Sequence, residues 1–204
     1  MWRFVLRENI SRFHTLLATE QSAEKRDTLR RLLKEAEEEL NELEQVSTPL
    51  LARRDDALRF YADQCVEQAV RLHAAQFSTL QIYDEAREQL IILAQKNFRA
   101  PFLLHLSNVR LGDGSACARC LENGVPAAVE DVNSDAAFEP HRRAALEAGF
   151  EAVQASPVPG RSDALIAVLS TYFSRPRRFS EDELTAMARY AARIGPDLEQ
   201  RLAA

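Results

Sequence analysis

Two predicted β-hairpins constrain the fold of this chain more than any other feature. The segments FSTLQIYD (77–84) and QLIILAQ (89–95) are strand-like and lie four residues apart. A second pair, AVQASPV (152–158) and ALIAVLSTYF (164–173), is separated by the turn sequence PGRSD (159–163). Because a short turn joins neighbouring strands in opposite directions, these segments predict a mainly antiparallel sheet.

Predicted helices surround the two hairpins. Proline at position 49 favours the start of a helix that reaches about residue 74, and Ser180 with Glu183 forms a capping box that opens the last helix. Gly195-Pro196 is expected to break or kink that last helix. Between the hairpins lie two short helices, a strand candidate and a further helix, at 102–109, 115–121, 126–132 and 139–146. Helices packed on an antiparallel sheet define the α+β class.

The first 47 residues form a separate predicted segment. Apolar residues recur there at helical spacing, first in a short helix and then with the four-three spacing of a coiled-coil seam. These positions are Ile10, Phe13 and Leu17, then Leu29, Leu33, Ala36, Leu40 and Leu43. We therefore expect a helical hairpin or coiled-coil segment at 1–47 and a second domain at 48–204.

Composition excludes several classes of protein. The chain has 204 residues, 46% of them hydrophobic, and a formal net charge of -5, which argues against broad nucleic-acid binding. Its apolar stretches are too short to span a bilayer, and the N-terminal residues lack a signal-peptide core. Three cysteines without an export signal indicate reduced thiols. We expect a cytoplasmic protein that binds neither nucleic acid nor membrane.

Four blocks of sequence resemble the GAF domains of bacterial two-component sensor proteins. They are GDGSAC (112–117), VEDVNSDAAF (129–138), AALEAGFEAVQASPV (144–158) and LIAVLSTYFSRPRRFSEDEL (165–184). The resemblance extends from about residue 57 to the C-terminus. It implies the GAF fold, a central antiparallel sheet with helices on both faces. The first and last helices cover one face, often as a dimer interface, and the other face carries a pocket.

The resemblance leaves the ligand open. Members of the wider family bind cyclic nucleotides, bilins, haem, 2-oxo acids or other metabolites, and others bind nothing. Ala118 and Ala167 replace glycines that are usual in the family. The residue set typical of cyclic-nucleotide-binding members is not recognisable, and neither Cys117 nor Cys120 precedes a histidine, as bilin attachment would require. We find no metal or covalent chromophore motif, so the cofactor is unknown.

Eight residues are candidates for the pocket. His105 could hydrogen-bond an acidic ligand or ligate haem iron, or it could be a half-exposed helix residue. Asp131 could accept hydrogen bonds from a ligand, or it could cap an Asx turn. Gln154 and Ser156 share one side of a strand, which faces either into the pocket or away from it. The full set is Phe102, His105, Leu106, Cys117, Asp131, Phe138, Gln154 and Ser156.

Other motifs allow a structural interpretation beside a chemical one. Cys117 and Cys120 are interpreted as buried, unreactive thiols, with redox sensing and metal binding as alternatives. The histidines lack the paired spacing of metal ligands, and GDGS lacks the lysine of a nucleotide-binding loop. The basic residues Arg175, Arg177 and Arg178 are expected to lie in a solvated loop.

Three functions are consistent with this pattern. The first is a stand-alone sensor that binds a small molecule and signals to a partner protein through its helices, because no output domain is recognisable in the sequence. The second is a ligand-free homodimerisation module with its pocket filled by side chains. Its candidate interface is Leu58, Cys65, Leu72, Leu184, Met187 and Ala191. The third is a cysteine-based reductase of free methionine sulfoxide, but residues 133–141 lack the attacking cysteine, so we expect no enzyme.

Overall fold

The chain divides into two compact units. A computed structural model describes residues 2–20, 22–46, 56–107 and 110–203. The units comprise residues 1–48 and 49–204, and each is described by itself.

The first unit consists of two helices, α1 (Trp2–Thr19) and α2 (Ala23–Val46), which pack against each other. Ala36 is buried and the other described residues of the predicted apolar stripe are half-buried. His14 Nε2 lies 3.6 Å from Glu37 Oε1 across the pair. The N-terminal helices are thus present as predicted. Coiled-coil packing stays a prediction, and the side chain of Leu43 lies outside the described set.

A five-stranded antiparallel sheet forms the centre of the second unit. The strands are β1 (Phe77–Asp84), β2 (Gln89–Lys96), β3 (Ala127–Val129), β4 (Ala152–Pro159) and β5 (Leu165–Phe173). Their order across the sheet is β2-β1-β5-β4-β3, and every neighbouring pair is antiparallel. Both predicted hairpins are present, and the predicted antiparallel sheet is confirmed. The central strand is therefore β5, which is flanked by β1 and β4.

Helices cover both faces of this sheet. The long helices α3 (Asp56–His73) and α7 (Glu181–Ala203) pack on one face. The three shorter helices α4 (Ala100–Leu106), α5 (Ala116–Asn123) and α6 (Glu139–Ala148) lie on the other. The predicted helix start at residue 49 lies outside the described residues. None of the described helices is long and apolar enough to cross a membrane.

The apolar core lies between the long helices and the sheet, and it corrects the predicted dimer interface. Leu58 and Met187 are each 2% exposed, and they pack with Cys65 and Ala191 in one buried cluster. A helix has one apolar stripe, and here the sheet covers it, so these four side chains are not available to a second copy. Leu72, which is 54% exposed, and the half-buried Leu184 remain accessible.

The start of α7 matches the prediction, and its interior is not broken. Ser180 Oγ accepts a hydrogen bond from the Glu183 N–H at 3.3 Å, and Glu183 Oε2 accepts one from the Ser180 N–H at 3.0 Å. Of the expected break or kink at Gly195-Pro196, the break is absent, because α7 continues through both residues; the kink stays a prediction. A Cβ atom on Gly195 would lie 1.8 Å from the Pro159 carbonyl oxygen. Glycine at this position lets the helix lie directly against β4.

Candidate functional site

A small cavity lies between the sheet and the three short helices. Its volume is about 20 Å³, which is room for about one water molecule. Five of the eight predicted pocket residues line it together, namely Phe102, His105, Leu106, Cys117 and Phe138. The other lining residues, which were not predicted, are Ser115, Ala116, His141, Phe150, Val153 and Tyr172.

Aromatic packing explains why this cavity is small. The ring centroids of Phe98 and Phe102 are 4.3 Å apart, those of Phe102 and Phe150 are 5.2 Å apart, and those of Phe150 and Tyr172 are 4.9 Å apart. Rings at these separations are in contact, and the contacts continue from α4 to the sheet. The side chains thus occupy most of the space between them.

The GDGS segment forms a tight turn that positions α5. Gly112 and Gly114 both have a φ of +81°, a conformation that glycine adopts without steric cost. Asp113 Oδ2 accepts a hydrogen bond from the Arg110 N–H, and Oδ1 accepts one from the Ser115 N–H, both at 2.9 Å. Ser115 Oγ in turn accepts from the Ala118 N–H at 3.2 Å and caps α5. The turn therefore has a structural role.

A chain of polar contacts joins the walls of the cavity. His105 Nε2 on α4 lies 2.9 Å from His141 Nδ1 on α6. His141 Nε2 lies 2.9 Å from the Asp113 carbonyl oxygen and 3.4 Å from Asp113 Oδ1, in the turn before α5. The sequence did not predict His141 or Asp113, because the two histidines are 36 positions apart and only the fold brings them together.

The three ionisable groups His105, His141 and Asp113 have pKa values that are shifted in different directions. Burial, and then the nearby His141, lower the pKa of His105. Burial also lowers the pKa of His141, but the hydrogen bond and charge of Asp113 outweigh it, so the net pKa shift is upward. The pKa of Asp113 is lowered overall, because hydrogen bonds from His141 and Ser115 outweigh its burial. A proton taken up by the histidine pair therefore resides on His141, and His105 stays neutral.

The cysteines of this region are buried thiols. Burial raises the pKa of Cys117 to about 11, although Ser115 Oγ lies 3.3 Å from its sulfur. Burial and then the nearby Cys117 raise the pKa of Cys120 as well. Both are thus protonated at neutral pH, and a thiol is a poor nucleophile and a poor metal ligand. Within the described part of the chain, no group of three or more histidine, cysteine or acidic residues could hold a metal ion.

Asp131 belongs to a turn and does not line the cavity. Its Oδ1 accepts a hydrogen bond from the Asn133 N–H at 2.9 Å, which is the Asx-turn geometry that was one of its two predicted roles. The carboxylate that instead links this loop to α5 belongs to Asp135, which pairs with Arg119.

Gln154 and Ser156 lie on the opposite face of the sheet, which corrects their assignment to the pocket. Val153 lines the cavity, and side chains alternate along a strand, so Gln154 points away from it. Gln154 Nε2 donates to Ser156 Oγ at 2.7 Å, and Thr171 Oγ1 lies 3.5 Å from Gln154 Oε1. His73 Nδ1 on α3 lies 2.8 Å from Thr171 Oγ1. The sequence could not show which face β4 turned to the cavity.

Arg177 corrects a second expectation, that of a solvated basic loop. Its guanidinium carbon lies 4.4 Å from the centroid of the Phe173 ring and 5.0 Å from that of Phe179. The guanidinium also pairs with Glu183 on α7. Cation–π contact on two rings explains why this arginine is half-buried. Arg175 and Arg178, in contrast, are exposed as expected.

The fold is that of an α+β domain, and a sequence comparison identifies its family. The family model of the GAF domain matches residues 58–196, which is more than half of the chain. The chain therefore belongs to the GAF domain family. A comparison with curated proteins finds no match.

Solved structures of GAF domains have the same fold. A domain of a putative two-component sensor histidine kinase from Sinorhizobium meliloti 1021 is 17% identical with a TM-score of 0.58, over 74% of this chain and 95% of that one. The GAF domain of an Acinetobacter phosphoenolpyruvate-protein phosphotransferase is 17% identical with a TM-score of 0.55, over 81% and 92%. The second GAF domain of DevS from Mycobacterium smegmatis is 16% identical with a TM-score of 0.54, over 72% and 96%. At these identities the likeness shows the fold alone.

Proposed function

We propose that this protein is a sensor whose GAF unit binds a small molecule on the face covered by α4, α5 and α6. The observation that carries the proposal is the cavity at this face, whose walls are joined by the His105–His141–Asp113 chain. A ligand that breaks these His105–His141–Asp113 contacts would act at once on α4, on α6 and on the turn before α5. We further propose a cytoplasmic signalling partner, in line with the sensor histidine kinase domain that shares the fold.

Ligand entry requires the walls to move. The cavity of about 20 Å³ is far smaller than a metabolite, so Phe102 must leave the aromatic cluster and the His105–His141 hydrogen bond must break. Phe102 and His105 are both on α4, so we propose that α4 is the wall that moves. A ligand shifts such an equilibrium only by its greater affinity for the open state.

The signal would leave through the long helices. β1 and β5 contact α3, and β5 also contacts α7, while Tyr172 of β5 lines the cavity. A displacement of β1 and β5 would therefore reach the helices on the other face. We propose that a second copy or a partner protein reads this change on the outer face of these helices, where Leu72 and Leu184 remain accessible.

A ligand-free interaction module is the second candidate. The small volume of the cavity favours it, because the aromatic side chains already fill most of the space that a ligand would use. An enzymatic role has the least support, because the pKa values of Cys117 and Cys120 are raised and both thiols are protonated at neutral pH.

Two measurements on the purified protein separate the candidates. A sensor should show an absorption band or an excess mass in native mass spectrometry that disappears on denaturation. It should also show microsecond-to-millisecond exchange at the Leu103 and Leu106 methyl groups of α4, since the closed and open states must interconvert. If there is neither excess mass nor exchange at α4, the sensor proposal is wrong and the interaction module takes its place.

A further inference from the structure

Four polar side chains share the cavity face of the neighbouring strands β1 and β5. β1 and β5 pair with Thr79 opposite Ser170 and Gln81 opposite Val168. Directly opposed residues of an antiparallel pair point to the same face, and residues two apart along a strand do so too. Thr79, Gln81 and Ser170 therefore point to the same face as Tyr172; Tyr172 lines the cavity, and the other three lie along the strands beyond its lining.

Two of these side chains are buried with polar atoms unpaired. Thr79 Oγ1 and Tyr172 OH hydrogen-bond each other at 3.0 Å. Gln81 and Ser170 are both 0% exposed, yet Gln81 Nε2 and Oε1 find no hydrogen-bond partner among the described residues. Ser170 Oγ has no well-formed one, although it lies close enough to the Tyr172 hydroxyl to offset part of the rise that burial causes in the pKa of Tyr172. Burying an amide without partners costs folding free energy, so an amide in this state requires an explanation.

On the opposite face of the same sheet, a second buried glutamine has hydrogen-bond partners. Gln154 is also 0% exposed, but its Nε2 donates to Ser156 Oγ and its Oε1 accepts from Thr171 Oγ1. The two glutamines have the same side chain and the same burial, and they lie on β1 and β4, the two strands that flank β5. Only the glutamine on the cavity face lacks partners.

We propose that Gln81 and Ser170 form the polar floor of the ligand site, an inference that rests on the proposed sensory function. A primary amide offers N–H donors beside a carbonyl acceptor. It therefore matches a ligand that presents an acceptor and a donor side by side, as a carboxamide, a lactam or the edge of a pyrimidine does. The Ser170 hydroxyl can donate to or accept from the same ligand.

The charges around this face favour an uncharged ligand. Burial raises the pKa of Tyr172 and of Cys117, so both are protonated, and the pKa of His105 is lowered, so it is neutral. Arg119 is engaged with Asp135, and His141 directs its Nε2 to Asp113. None of these described groups is a free counter-charge, so burying a carboxylate or phosphate at Gln81 would be strongly unfavourable.

The first test asks whether the Gln81 amide is unpaired within the protein itself. Replacing a buried unpaired amide by an apolar side chain of similar size removes its desolvation cost. We expect Gln81→Leu to raise the Tm of the ligand-free protein by roughly 2–4 °C. Gln154→Leu is the matched control and should lower the Tm, because it removes the donor to Ser156 Oγ and the acceptor for the Thr171 hydroxyl, which then keeps only His73. A Tm for Gln81→Leu that falls as far as that of Gln154→Leu would overturn the proposal.

The second test measures ligand chemistry with two matched pairs of probes, acetamide against acetate and nicotinamide against nicotinate. The readout is the side-chain amide signal of Gln81 in ¹H–¹⁵N spectra, assigned by its disappearance in Gln81→Leu. We expect the amides to shift this signal and the acids to leave it unchanged. Gln81→Leu should weaken amide binding on the order of tenfold, and Gln154→Leu should not.

The outcomes distinguish this inference from the proposed function. If the acids bind as well as the amides, or if Gln81→Leu binds the amides as tightly as the wild type, the polar floor is wrong while a sensory site remains. If no amide binds the wild-type protein, the ligand class is overturned. The sensory function itself is then decided by the native mass and the α4 exchange measurements.

Discussion

Arg119 on α5 contacts both carboxylate oxygens of Asp135, with Nη1–Oδ2 at 2.8 Å and Nη2–Oδ1 at 2.7 Å. Its Nε also donates to the Gly114 carbonyl oxygen at 2.8 Å. The hydrogen bonds of this pair raise the pKa of Arg119 and lower that of Asp135. One side chain thus fixes α5 to the glycine turn before it and to the loop before α6.

We predict that Arg119→Lys lowers the free energy of unfolding by about 1–2 kcal/mol, because an ammonium group cannot make the paired contacts of a planar guanidinium. Urea denaturation would measure this. The control is Arg143→Lys, since Arg143 lies 3.8 Å from Glu147 in an exposed pair on α6. That variant should change the free energy by less than about 0.5 kcal/mol. Equal effects of the two substitutions would refute the structural role of Arg119.

The two glycines of the GDGS turn should respond differently to alanine. Both have a φ of +81°, but a Cβ on Gly114 would lie 1.9 Å from the Ala137 carbonyl oxygen, whereas one on Gly112 would meet none of the described residues within 4 Å. Gly112→Ala should cost about 1 kcal/mol of stability from backbone strain alone. Gly114→Ala should cost about 2 kcal/mol more, because the backbone must also move. Thermal unfolding of the two variants would measure this. Similar losses of stability in both would mean that Gly114 does not lie close to the Ala137 carbonyl oxygen.

Because Met187 is buried in the core, a charged substitution there should unfold the protein. A charged substitution at a dimer interface would instead separate two folded copies. Met187→Glu places a carboxylate in the core between α7 and the sheet and should cost more than about 4 kcal/mol. Leu72→Glu changes a side chain that is 54% exposed and should leave the free energy of unfolding nearly unchanged. Circular dichroism and sedimentation velocity distinguish the outcomes. A folded monomeric Met187→Glu protein would show that this helix face is not core.

Protonation of His73 should lower the free energy of unfolding in acid. Burial and then the charge of Arg177 lower its pKa below 6.5, so the unfolded chain binds the proton more readily than the folded one. The stability that neutral His73 contributes is therefore present above about pH 6.5 and lost as the pH falls below it. The pKa of His105 is shifted in the same direction and that of His141 in the opposite one, and both residues are unchanged in a His73 variant.

The test compares His73→Asn with the wild type at pH 7.5 and pH 5.5. The wild-type Tm should fall more between these two values than the Tm of the variant. Asparagine keeps a polar group near Thr171, so the comparison isolates the titration from the hydrogen bond. Parallel Tm profiles would mean that His73 does not titrate differently in the folded state.

The strands were predictable because their signals are local. The segment FSTLQIYD coincides with β1, and the turn chemistry of PGRSD lies between β4 and β5. The end of β3 at Val129 was placed too late by the sequence, because the Asx turn at Asp131 takes over the backbone. Local propensity and turn residues were thus sufficient to predict the strands and their order along the chain.

The site was less predictable because its contacts are distant in sequence. The orientation of β4 depends on which face receives the helices, and nothing in alternating small and polar residues reveals it. Arg177 looked like one of three solvated arginines until the fold placed it between Phe173 and Phe179. The apolar stripes of α3 and α7 were visible in the sequence, but a stripe does not say whether a sheet or a second chain covers it.

The contact at Gly195 gives α7 a fulcrum. The helix backbone lies directly against the Pro159 carbonyl there, so a tilt of α7 over β4 has to turn about this point. Gly195 is 14 positions from the start of the helix at Glu181, a lever arm of about 21 Å. A tilt of about 5° at this fulcrum would carry the first turn of α7 through about 2 Å. The end of α7 that holds Glu183 against Arg177 would thus move furthest.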